Sequence, residues 1–159
     1  MTRRVAAIVV ALFASVGFAQ ENAKTIESTG KILGVGIGMS LAEAQRKLEP
    51  LADGRSVPRK GRDKDGLRQM WRFKETEYLW LMVWAKDEKI VAVDTAVRRE
   101  KPKRFDEIGD LKKAAVNTDA RAVWNIDDER RGKFRLVAKG SSRRALNISM
   151  FSLDEAEID

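Results

Sequence analysis

Apolar and polar positions between residues 67 and 97 fall into three short runs, LRQMWRF, YLWLMVWA and IVAVDTAV. The charged turns Lys74-Glu75-Thr76-Glu77 and Lys86-Asp87-Glu88-Lys89 divide them. Alternation of period two between turn signals predicts an antiparallel meander. In the first run Leu67, Gln69, Trp71 and Phe73 share one face, with Arg68, Met70, Arg72 and Lys74 on the other. The second run is apolar on both sides: Leu79, Leu81, Val83 and Ala85 alternate with Tyr78, Trp80, Met82 and Trp84. Such a strand is central in its sheet, with one face under helix and the other requiring a loop, a second subunit or a ligand.

Upstream, the segment from Gly30 to Ser40 spaces glycines at positions 30, 34, 36 and 38. No Gly-Lys-Ser/Thr follows and no βαβ pattern surrounds it, so a nucleotide loop is not indicated. The glycines instead predict a backbone segment that packs closely on the sheet and turns sharply. Ser40 and Glu43 form a capping box that starts a helix carrying Leu41, Ala44 and Leu48 on one face, with Pro50 at its end. Residues 52–66 are rich in charge and glycine and read as a loop.

Beyond the basic run Arg98-Arg99-Glu100-Lys101-Pro102-Lys103-Arg104, the positions Phe105, Ile108 and Leu111 predict a second helix continuing through Lys112 to Ala115, weakened by Gly109. Three more strand runs follow: 120–127, 133–139 and 146–151, with turns at Asp128–Gly132 and Gly140–Ser142. The order helix, three strands, helix, three strands predicts a two-layer α+β domain with both helices on one face of an antiparallel sheet. It also suggests a tandem helix-plus-three-strand repeat.

Composition adds a location. Arg3 and Arg4 precede an apolar stretch from Val5 to Val16, and Gly17-Phe18-Ala19 offers a small-x-small cleavage pattern. The expected organisation is a signal peptide at 1–19, a flexible lead-in at 20–29, one domain at 30–153 with halves 30–98 and 105–153, and an acidic tail at 154–159. A periplasmic or secreted protein follows, with no transmembrane segment after cleavage. The chain has 31 Lys plus Arg against 24 Asp plus Glu, a formal charge of +7. Without the two arginines of the signal peptide it carries about +5, mixed with acids along most of its length. That charge fits weak attraction to anionic surfaces, and export argues against nucleic acid.

The chain lacks histidine and cysteine altogether. Disulfides, thiolate nucleophiles, classical zinc sites and the usual general base are thereby excluded, and no Ser-x-x-Lys or Gly-x-Ser-x-Gly setting replaces them. Asp63 and Asp65, or Asp127, Asp128 and Glu129, are carboxylate groups that lack the full spacing of a calcium loop. No catalytic residue, cofactor or metal is therefore assigned.

Gly38-Met39-Ser40-Leu41-Ala42-Glu43-Ala44, followed by Leu48, Pro50, a polar loop and the aromatic meander, resembles the β-lactamase-inhibitor-protein-like superfamily. That group includes small lipoproteins of the outer-membrane β-barrel assembly machinery. The resemblance covers residues 30–98 and implies a strongly curved sheet whose aromatic face or loops bind another protein. This chain departs from it in lacking a lipid-anchor cysteine and in having Glu49-Pro50 where a glycine is usual.

The expected function is a non-enzymatic, envelope-associated binding module for a protein or peptide. Tyr78, Trp80, Met82 and Trp84 would supply desolvated contact, and Arg72 and Arg98 charge around it. Two alternatives stand beside it: a homodimer that buries the same face, and a carboxylate-dependent hydrolase of cell-wall glycan.

Overall fold

The computed structural model describes residues 24–54, 57–60 and 66–154, the strand at 57–60 by its backbone alone. The expected signal peptide, residues 20–23 of the lead-in, the loop acids Asp63 and Asp65, and the tail after Asp154 lie outside the described residues. The helices are α1 (Ile26–Thr29), α2 (Leu41–Leu48), which runs into a 3₁₀ turn at Glu49–Leu51, and α3 (Phe105–Ile108). The strands are β1 (Val57–Lys60), β2 (Leu67–Arg72), β3 (Tyr78–Lys86), β4 (Lys89–Val97), β5 (Lys103–Arg104), β6 (Val116–Asn117), β7 (Arg121–Asp128), β8 (Gly132–Ser141) and β9 (Arg144–Ser152). They pair in the order β1-β2-β3-β4-β9-β8-β7-β6, antiparallel throughout, and β5 adds to β9 away from that path.

This architecture corrects the sequence-based expectation of a strongly curved sheet carrying two short helices. The described residues hold one continuous sheet that is not strongly curved, with three short helices. The two meanders are joined side by side because β4, the last strand of the first, pairs with β9, the last of the second. Their ladder runs from Ala92 opposite Phe151 to Ala96 opposite Asn147. The tandem helix-plus-three-strand repeat also fails. The first meander gains β1 at its edge, the second gains β6 and β5, and α2 and α3 differ in length by twofold, at eight and four residues.

Each departure has a local cause. β1 sits in the stretch expected to be a loop. Its Val-Pro-Arg-Lys sequence carries little strand signal, and an edge strand needs only one paired side, so proline and charge are tolerated there. The second helix stops after one turn at Gly109, whose amide donates to the Phe105 carbonyl at 3.1 Å. At that point Glu27 and Trp124 crowd the glycine so closely that any side chain would collide with them. The backbone amide of Asp110 donates to Glu27 at 2.8 Å, tying the end of α3 to α1. The Trp124 indole donates to the Asp110 carbonyl at 2.9 Å and fixes the same turn onto the sheet. Residues 26–29, part of the expected lead-in, therefore form helix: Thr25 caps them by accepting from the Ser28 amide, and Ile26 enters the core.

One sheet face is the core. Trp71, Leu81, Val83, Val93, Leu136, Ile148 and Met150 lie on it, covered by Ala44 and Leu48 of α2, Phe105 and Ile108 of α3, and Ile32, Val35 and Ile37 of the glycine segment. α2 begins where the capping box places it, with Ser40 accepting from the Glu43 amide at 3.2 Å. The glycine segment docks on the turn between β3 and β4. The Gly38 amide donates to Ile90, the Ile90 amide to Met39, and the Leu41 amide to Glu88, each at 2.8 Å. Gly34 and Gly38 adopt φ of 79° and 78°, where L side chains are strained.

Gly36 presses directly on the Gly30 carbonyl, and an added Cβ would overlap that oxygen. We expect Gly36→Ala to destabilise the fold by about 2 kcal/mol or more, read as a lower urea midpoint with an unchanged slope. Wild-type stability in that variant would mean the segment is not seated on the sheet as described.

Candidate functional site

The face of the sheet away from the helices is built by alternation and register. On β2 it presents Arg68, Met70 and Arg72; on β3 Trp80, Met82 and Trp84; on β4 Ala92, Asp94 and Ala96; on β9 Asn147, Ser149 and Phe151. β8 continues with Arg135, Val137 and Lys139, and β7 with Arg121, Val123 and Asn125. Cross-strand partners make three rows. One reads Arg68, Trp84, Ala92, Phe151, Arg135, Asn125; the next Met70, Met82, Asp94, Ser149, Val137, Val123; the third Arg72, Trp80, Ala96, Asn147, Lys139, Arg121. Trp80, Met82, Trp84 and Phe151 are half-buried, and no described helix lies over them.

Tyr78 is not part of this face. A register shift between Tyr78 and Trp80 places Leu79 in a bulge, turning Tyr78 into the core at 2 % exposure while Leu79 is 42 % exposed. The expected four-residue stripe is thus three residues, joined by a leucine from the opposite parity. β9 repeats the device near Lys139 and Gly140, where Ala145 is buried and Leu146 is 41 % exposed. Both bulges leave two successive residues facing outward, Leu79-Trp80 and Leu146-Asn147, on the two strands that flank β4.

Of the two expected arginines, Arg72 stands exposed on the face opposite Trp80. Arg98 does not serve there. Its Nε donates to the Thr76 carbonyl at 2.9 Å, its guanidinium also donates to the Phe73 carbonyl, and it pairs with Glu100 at 3.5 Å, so it clamps the turn between β2 and β3. Sequence reasoning had no role for Arg68, Arg135 and Phe151. Arg68 lies over the Trp84 ring at 4.8 Å and Arg135 over Phe151 at 5.9 Å, two cation–π pairs on either side of Ala92. The parity of Arg68 was readable from the strand pattern; the neighbourhood of Phe151 depends on the β4–β9 pairing, which no local signal encodes.

A cleft of about 670 Å³ lies between the glycine segment and the β7–β8 turn and includes Lys31, Glu43, Asp127, Glu129 and Arg130 on its walls. Of the three acids at this turn, which lack a calcium loop's spacing, Asp128 is used internally. Asp128 accepts from the Arg131 guanidinium at 2.5 Å and from the amides of Arg130 and Arg131 at 3.0 Å each. The Arg131 hydrogen bond is the main cause that holds its pKa down to about 2. Arg131 also donates to the Thr29 carbonyl, closing the end of α1 against this turn. A carboxyl held ionised is the opposite of what a glycosidic proton donor requires. Among the described residues no three carboxylates converge as a metal site.

No protein-family model matches the chain, and no curated protein matches it. Among solved structures, a cysteine-rich secretory protein from Staphylococcus aureus is similar at 15 % identity and a TM-score of 0.40, over 75 % of this chain. The chain spans about half of that structure, 45 % of its length, and a likeness this slight bears on neither fold nor function. No helix among the described residues is long and apolar enough to cross a membrane.

Two titrations follow from this geometry. Burial, aided by Glu77, pushes the Tyr78 phenol well above its ordinary value of 10.0. The folded state therefore holds its proton where the unfolded state releases it, and this contribution to folding is lost as pH rises past about 10. Tyr78 is the only tyrosine, so phenolate absorbance should appear only together with loss of tertiary circular dichroism. A phenolate signal in the folded protein near the ordinary value would put Tyr78 on the exposed face. For Asp128 the folded pKa is depressed, so its stabilising effect is present above about pH 4 and is lost as pH falls toward 2. The stability gap between wild type and Asp128→Asn should accordingly shrink over that interval in urea titrations; a pH-independent gap would rule out the Arg131 pairing.

Proposed function

We propose that the protein is an exported, non-enzymatic binding module whose open sheet face engages another protein or a peptide. The observation that carries this reading is the asymmetry of the sheet: one side is sealed by α2, α3 and the glycine segment, while the other keeps Trp80, Met82, Trp84 and Phe151 half-exposed among arginines. Large aromatic side chains left partly in water and bordered by arginine are the residue types that dominate binding energy at protein interfaces. Burying them against a partner removes apolar area from water at about 25 cal/mol per Å². Their removal from the free protein costs little, because they pack on one side only.

Export is supported by the N-terminal arrangement of Arg3, Arg4, the apolar stretch and Gly17-Phe18-Ala19. The absence of cysteine and histidine from the whole sequence favours binding over the commonest hydrolytic chemistries.

The experiment is capture from an envelope extract with wild type, Trp80→Ala and Trp84→Ala. Both variants should remain folded, with thermal midpoints close to wild type, and should each lose a protein that the wild type retains. Retention of the same protein by both folded variants would sink the reading. Unfolding of both would show that the rings belong to the core.

A further inference from the structure

The open face has relief as well as composition. Along β4 the outward residues are Ala92, Asp94 and Ala96, all small or short, between β3, which presents Trp80, Met82 and Trp84, and β9, which presents Phe151, Ser149 and Asn147 with the bulged Leu146. The result is a furrow whose floor is β4 and whose walls stand on β3 and β9. Two interstrand spacings separate the wall backbones by about 10 Å. At the Ala92 level the walls are Trp84 and Phe151. At the Ala96 level they are Trp80 with the bulged Leu79 on one side and Asn147 with the bulged Leu146 on the other. The furrow is therefore most apolar at its two ends, with Asn147 the one polar side chain at the Ala96 end. Its middle is polar, where Ser149 donates to Asp94 at 2.7 Å.

Outside the walls the charge is mainly positive. Arg68 and Arg72 flank β3, and Arg135, Lys139 and Arg121 lie beyond β9. None of the five makes an ion pair among the described residues, whereas Arg98, Arg104, Arg131 and Arg143, which lie off this face, each do. The acids on the face are Asp94, engaged with Ser149, and Asp127 at the far rim. A second copy of this chain docked face to face would set these cations against themselves, so charge disfavours a homodimer through this surface.

The backbone narrows the choice of occupant. β3, β4 and β9 are each paired on both edges, so no strand can add beside the furrow and the contact is made by side chains alone. What packs on a sheet face is a helix or a second sheet, and one helix with its side chains is about 10–12 Å across, comparable to the spacing of the two wall strands over which it would lie. The two apolar ends are four residues apart on β4, about 13 Å, close to the length of two to two and a half helical turns.

We infer that the furrow along β4 receives one amphipathic helix of a partner protein, with apolar residues two turns apart and acidic residues on both flanks of that stripe. This inference rests on the binding-face reading above and specifies the partner's chemistry. The apolar residues seat at the Trp84–Phe151 and Leu79–Leu146 levels, a small or hydrogen-bonding residue passes Asp94, and the flanking carboxylates meet Arg68 and Arg72 on one side and Arg135 and Lys139 on the other.

The test uses the full chain and a panel of synthetic helical peptides. Their apolar stripes carry leucine, methionine or phenylalanine at i and i+7, each made in a glutamate-flanked and a lysine-flanked version. Binding is read by tryptophan emission and calorimetry. The glutamate-flanked members should bind at least about tenfold more tightly than their lysine twins. Arg68→Glu combined with Arg135→Glu should reverse that order, and Arg72→Glu with Lys139→Glu, both at exposed positions, provides the same reversal if the first pair does not fold. Equal affinity for both versions, or none for either, overturns the inference. So does tighter binding to vesicles containing anionic phospholipid than to any peptide, or self-association that the Trp80→Ala variant abolishes. If the peptides fail while envelope capture still depends on Trp80 and Trp84, the face binds something other than an acidic helix. If capture is indifferent to both tryptophans, the binding-face reading itself is wrong.

Discussion

Pairing of β4 with β9 is the constraint on which the rest of this structure depends. Either half alone would be a small sheet with an apolar strand at its edge, and such edges are templates for wrong association. By pairing their last strands, the halves convert two exposed edges into the centre of one sheet. Val93 and Thr95 of β4 then sit beside Ile148 and Met150 of β9 in a single core that neither half could bury by itself. Thr95, fully buried, satisfies its hydroxyl by donating to the Trp80 carbonyl within the same face of strands.

The same pairing makes the open face. It brings Phe151 level with Trp84 and sets the short residues of β4 beside the tall row Trp80, Met82 and Trp84 of β3. Because the bulges at Leu79 and Leu146 fall on the strands to either side, the outward surface gains a leucine at each side of one end of β4 while Tyr78 and Ala145 are turned inward. A bulge adds local twist and re-aims side chains without breaking the sheet, which is why such features recur where a surface has to fit something else. The core face, by contrast, is held by ordinary packing and by single hydrogen bonds such as Gln45 to Gln69 at 2.8 Å.

Much of the local architecture was legible in the sequence. The capping box at Ser40 and Glu43, the three-strand runs at 67–97 and the hairpins after Ala120 depend on periodicity and turn residues, both of which act over a few positions. Features that depend on distant partners were not legible. β1 exists because β2 offers it a ladder, the shortness of α3 is set by Glu27 and Trp124 crowding Gly109, and the union of the two meanders is a contact between residues far apart in the chain. The inward turn of Tyr78 was missed for a different reason: a bulge shifts parity by one residue, and an alternating apolar strand looks the same in either register. Arg98 failed as a surface cation because nothing in its neighbours announces that two carbonyls of a turn will claim its guanidinium.

Asp94 and Ser149, bonded across the seam, are 55 residues apart in sequence. The chain must therefore pay the entropy of closing a long loop before this pairing returns any energy, and non-local ladders of this kind slow folding. The hairpins β2–β3–β4 and β7–β8–β9 have no such cost, being joined by short turns. Kinetically, the joining of the halves is a step of long reach, and the facing edges of β4 and β9 remain unpaired until it is complete. A proteolytic cut that parted the halves between residues 97 and 144 would leave two apolar edges in search of any strand, and synthesis stalled there would leave the edge of β4, so the hazard to the organism would be aggregation rather than simple loss of function.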